Sequence, residues 1–157
     1  GTLHVWPEIP AVDVAPEVSI NLGITQGHLH TDGAHLVVSG MRDIQIIKVS
    51  ELNDNAAFST LQLPGQTMMT GQAIVVGNQL YAADLAGHRV LAWSTLNDAF
   101  NGADPDVFIG ASDLNDIDPD KTRNGLFWPM HMAYDGTHLY VAEYKFSGRV
   151  LGYSVQK

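Results

Sequence analysis

Apolar positions along the chain fall in short runs that alternate with polar ones. "HLVVSG", "IQIIKV", "AIVVGNQLYAADL", "RVLAW", "DVFIG", "HLYVAEY" and "RVLGYSV" are rich in Val, Ile, Tyr and Trp, and Gly, Asn, Asp and Pro separate them. Period-two alternation between turn residues marks strands. No window of about 11 residues carries a capped 3.6-residue stripe. The pattern predicts an all-β chain of about 13 short strands, with helix under about a tenth.

The strands repeat. "SELNDNAAF" from Ser50 returns as "STLNDAF" from Ser94, an offset of 44 that also carries Leu36 to Leu80 and Gly33 to Gly77. "DGTHLYVAEY" is a third copy, with Leu139 lying 59 residues after Leu80. The extra length falls in one acidic stretch, 111–125. "TLHVWPEI" falls on "RVLAWSTL", with Trp6 on Trp93. One unit reads as strand a (71–76), b (79–84), c (89–94) and d (106–110). Four short strands in about 45 residues is the period of a propeller blade. The chain then divides into the end of one blade (1–23), two full blades (24–66 and 67–110), the acidic loop (111–125) and most of a last blade (126–157). About three blades cannot close a ring, since closure takes at least about four.

"AADLAGHRVLAW" and "WPMHMAYDGTHLYVAEYKFSGRVLGY" resemble the NHL-repeat signature, while "SGMRDIQIIKV" in the first full unit lacks its Asp and His-Arg pair. The resemblance implies a partial β-propeller of four-stranded antiparallel blades, about half of a six-bladed ring. It also implies an extracytoplasmic protein, periplasmic or secreted.

Charge and composition narrow the partners. There are 17 acidic and 8 basic side chains, a net charge of −9, and no cysteine. Phosphate backbones and anionic membrane surfaces both need a basic face, so neither nucleic acid nor membrane is an expected partner. No apolar run approaches the roughly 18 residues of a membrane span. "GTLHVWPEIP" has neither the basic nor the apolar segment of a signal peptide. Without thiols, a metal site would rest on His, Asp and Glu.

Several repeated residues have structural readings. Gly33, Gly77 and Gly136 are expected in the a–b hairpin turns, where positive φ is needed. Asp84 and Arg89 flank the b–c turn and should clip that hairpin. Trp6, Trp93 and Tyr153 share one position, expected in the packing between blades along with Leu36, Leu80, Leu139 and Val141. Asp116, Asp118 and Asp120 alternate in the acidic loop, and alternate carboxylates suit calcium. The spacing lacks the Gly and closing Glu of an EF-hand, and the bland reading is an exposed, mobile surface loop.

The histidines are the sharpest chemical signal. His28 and His131 occupy the same position of strand a, and Gln72 holds it in the unit between. Strand a lines a propeller's channel, so these three would converge on one ligand- or channel-facing site. The arrangement resembles peptidyl-α-hydroxyglycine α-amidating lyases, which implies that His28 and His131 are two of three zinc ligands. The plainer reading is a wet channel lining. Two function classes follow: a binding or scaffold propeller whose loops and channel hold a protein or small ligand, and a metal-dependent lyase or hydrolase. Either implies a partner that supplies the missing half ring, as further polypeptide, a second copy or another subunit.

Overall fold

The structure, a computed structural model, describes residues 1–24, 27–64, 67 and 69–155. The expected boundaries at 66 and 157 fall outside them. The chain is all-β. In order it runs β1 (Thr2–Val5), β2 (Val18–Asn21), β3 (His28–Thr31), β4 (His35–Ser39), β5 (Asp43–Lys48), β6 (Ser59–Gln62), β7 (Thr70–Val76), β8 (Gln79–Asp84), β9 (Arg89–Trp93), α1 (Leu96–Phe100), β10 (Val107–Ile109), β11 (Pro129–Tyr134), β12 (His138–Glu143) and β13 (Val150–Ser154).

Sequence neighbours pair antiparallel, giving four sheets: β1-β2, β3-β4-β5-β6, β7-β8-β9-β10 and β11-β12-β13. The turn chemistry is the expected one. Gly33, Gly77 and Gly136 take φ of 90°, 62° and 102°. Asp32 Oδ1 accepts the N–H groups of Ala34 and His35, and Asp135 Oδ1 those of Thr137 and His138. The same Asp cap therefore closes two equivalent hairpins.

The first strands of the last three sheets lie side by side, β3 against β7 and β7 against β11. The β7–β10 sheet is covered on both faces. Leu80, Leu91 and Trp93 pack toward Val37, Ile44 and Leu61 of the preceding sheet. Tyr81, Val90 and Ala92 pack toward Met132, Leu139 and Val141 of the following one. Continuous burial along β8 and β9 follows. The outer strands β1 and β13 keep an alternating pattern, because one face of each lacks a cover.

That asymmetry corrects two expectations. Leu80, Leu139, Trp93 and Val141 are buried, but Leu36 is only half-buried. Its side faces away from the β7–β10 sheet, where the preceding sheet has only two strands. Trp6 is 38% exposed rather than buried. It keeps one role of its counterpart: its indole N–H donates to Val14 C=O at 3.1 Å, as Trp93 donates to Ala103 C=O at 2.8 Å.

The acidic loop is exposed but pinned. Buried Arg89 donates Nη1 to the carbonyls of Asp113, Leu114 and Asp116. Arg149 donates to those of Lys121, Thr122, Asp120 and Gly125. Each arginine also clips its own hairpin: Arg89 Nε sits 3.0 Å from Asp84, and Arg149 bonds both Glu143 oxygens at 2.7 Å.

Candidate functional site

The site lies where β3, β7 and β11 run together. Two irregularities shape it. The ladder register shifts between Thr70 and Ala73 in β7, and between Pro129 and His131 at the equivalent place in β11. Bulges of this kind re-aim side chains and free a backbone N–H. Ala73 N–H is taken up by Ser39 Oγ at 2.7 Å, and Met132 N–H by Gln72 Oε1 at 2.8 Å. Each freed donor thus finds a side chain of the preceding sheet.

Gln72 also donates Nε2–H to Leu29 C=O at 3.3 Å. Both ends of its amide are committed to backbone, so it ties β3 to β11 across β7. Gly71 allows the approach: a Cβ there would sit 2.6 Å from Met130 O.

His28 and His131 do come together. Their rings meet edge to face, with centroids 5.1 Å apart and planes at 82°. His28 is half-buried and His131 exposed, so the pair opens to solvent on one side. Burial, and then the neighbouring His131, hold the His28 imidazole below its ordinary pKa of 6.5. A neutral imidazole keeps a lone pair for a proton or a metal ion. His30, which has no counterpart in the other units, reaches Val75 C=O of β7 at 3.4 Å, and burial lowers its pKa too.

The loop carboxylates are turned onto their own backbone. Asp116 Oδ2 accepts Ser112 N–H at 2.8 Å, and Asp120 accepts Thr122 N–H at 2.7 Å and its hydroxyl at 2.6 Å. These hydrogen bonds hold both carboxyls below the usual range. Among the described residues, no three His, Asp or Glu side chains gather as a metal site, around Asp118 or at the histidine pair.

Sequence reasoning located the pair but missed what holds it. Ser39, Gly71 and the two bulges carry no motif, and only the register of paired strands reveals them. Comparison with protein-family models and with curated proteins gives no match.

Proposed function

We propose that the chain is about half of an NHL-like β-propeller that binds a small ligand or peptide at the His28–His131 pair. One observation carries this: two histidines 103 residues apart in sequence are brought edge to face, where three first strands adjoin. The repeated four-strand unit and the side-by-side sheets support the propeller reading, and the sheet faces left open at either end support a partner that completes the ring. Polar groups converging on an open seam are what a ligand site needs for orientation. A thermal-shift screen of polar metabolites and short peptides, run on the wild type and on a His28→Ala/His131→Ala variant, tests it. Compounds that stabilise only the wild type are expected. Equal stabilisation of both proteins by every active compound would refute the site.

A second reading, a zinc-dependent lyase or hydrolase, is favoured by the same geometry. Two imidazoles on one tetrahedral zinc, at about 2.0–2.1 Å each, set their ring centroids roughly 5 Å apart. The observed 5.1 Å fits two ligands, and a third would come from outside the described residues. When bound, zinc acidifies a coordinated water or polarises a carbonyl. The contribution of this chain would be two imidazoles, with Gln72 holding their strands through Leu29 and Met132. Calcium at Asp116, Asp118 and Asp120 has weaker support, because two of the three carboxylates are already capped. Metal analysis of the purified protein separates the readings. Near-stoichiometric zinc that is lost in His28→Ala supports the enzyme, and its absence from protein prepared with zinc present supports the binding propeller.

A further inference from the structure

Among the described residues only three non-glycines take a positive φ: His88 at 56°, Trp128 at 51° and Lys145 at 58°. They come from three separate segments, the β8–β9 turn, the entry to β11 and the β12–β13 turn. All three meet in one cluster, with His88 buried beneath Trp128 and Lys145 exposed. A bulky side chain in the left-handed region is strained, and such strain persists only where the surroundings over-determine it. Here they do. Trp128 N–H donates to His88 Nδ1 at 3.1 Å, and Trp128 C=O accepts Tyr144 N–H at 2.9 Å. Glycine would satisfy that backbone without strain, so the indole itself is the reason for a tryptophan.

The indole anchors an array of rings. The planes of Phe127, His88 and Tyr144 lie within 18° of Trp128, at centroid distances of 5.7, 6.4 and 6.5 Å. Near-parallel rings at these distances are offset rather than eclipsed, so the half-buried Phe127 and Trp128 each keep part of a face open. Tyr144 is 45% exposed, and neighbouring Phe146 is 73% exposed. Ammonium groups stand over the faces. Lys145 Nζ lies 4.9 Å from the Trp128 centroid and 5.4 Å from that of Tyr144, and Lys121 Nζ lies 4.7 Å from that of Phe127. Two of the four lysines of a chain with net charge −9 are thus placed here.

We propose that this platform binds an acidic sugar, a short uronic-acid oligomer. A pyranose presents an apolar C–H face to an aromatic ring and keeps its hydroxyl rim in water, which suits an open surface. Its carboxylate answers the ammonium above the ring. Two adjoining stations, Phe127 with Lys121 and Trp128–Tyr144 with Lys145, suit successive acidic units. The net charge of the chain disfavours a long polyanion and selects a short one. The inference does not depend on the histidine-pair reading, since none of its residues belongs to that pair.

Calorimetric titration with trigalacturonate, and with maltotriose as a neutral control, tests it on the full chain. Binding of the acidic trisaccharide is expected, with the neutral one about tenfold weaker. Trp128→Gly relieves the φ of 51° but gives up the indole's ring contacts, so the thermal midpoint should fall only modestly while trigalacturonate binding weakens about tenfold. Lys145→Gln should weaken the acid severalfold and leave the neutral sugar unchanged. Millimolar trigalacturonate without heat, equal affinity in Trp128→Gly, or tighter binding of indole acetate or a mononucleotide than of trigalacturonate would overturn the proposal. If Trp128→Gly fails to fold, unchanged affinity in Lys145→Gln overturns it alone.

Discussion

Equivalent residues in this chain are not energetically equivalent, and Leu36 and Leu80 measure the difference. Leu80 is fully buried between two sheets, so Leu80→Ala should cost about 2–5 kcal/mol. Leu36→Ala should cost distinctly less, because its neighbouring sheet covers only part of it. Paired urea titrations check this, and equal losses would contradict it. The histidines make stability depend on pH. Burial lowers the pKa of His28, His30 and His88, in His88 against the pull of Asp84, Asp118 and Glu143. Above the ordinary value of 6.5 these rings are neutral whether folded or unfolded, and their contribution is fully present. As pH falls below it, the unfolded chain takes up protons first and the folded state loses stability. Asp135, held down at about 2 by the N–H groups of His138 and Thr137 and by the Tyr140 hydroxyl, stays ionised throughout that window. The urea midpoint should therefore drop between about pH 7.5 and 5.5, and His88→Asn should reduce the drop. A midpoint flat across that range would sink the assignment.

At the scale of elements, the acidic loop behaves as part of the fold. Arg89 is buried at one end of its hairpin, and the loop supplies three carbonyls to its guanidinium. Removing 112–124 would leave the Arg89–Asp84 pair in place but strip three carbonyl acceptors from a buried guanidinium, a loss of about 1–3 kcal/mol for a donor left unsatisfied. Reduced stability, read as a lower denaturant midpoint, is the expected outcome. A deletion variant as stable as the parent would return the loop to the status of a mobile insertion. The first four-stranded sheet does without such a clip. Gly40 stands where Asp84 stands in the next unit, and its N–H closes the turn on Asp43 C=O at 2.8 Å.

At the scale of the whole molecule, burial runs out toward both ends. The β7–β10 sheet is covered on both faces, whereas the two-stranded and three-stranded sheets are not. Tyr140 and Val150 of the last sheet are 38% and 67% exposed. Among the described residues no strand pairs with the outer edge of β13, and an open edge invites another strand. Light scattering at micromolar concentration should show self-association, or an apolar dye should bind. A stable monomer that binds no dye would contradict the proposed half ring.

The sequence by itself determined the strands, their order and their turns. Alternation, Asp-Gly dipeptides and β-branched runs act over a few residues, so β8 could be bounded at Gln79 and Asp84 without any tertiary information. The 44- and 59-residue offsets also determined which residues are equivalent, and so which histidines would meet. Tertiary structure alone decided the rest. It set the half exposure of Leu36 and the surface place of Trp6, because each depends on how many strands lie opposite. It turned Gln72 into a tie between two backbones, because the bulge in β11 freed the Met132 N–H that it accepts. It gathered His88, Trp128 and Lys145, which share no repeat position, because what joins them is the packing of three turns. Local pattern fixes what a strand is, whereas non-local contact fixes what each side chain is for.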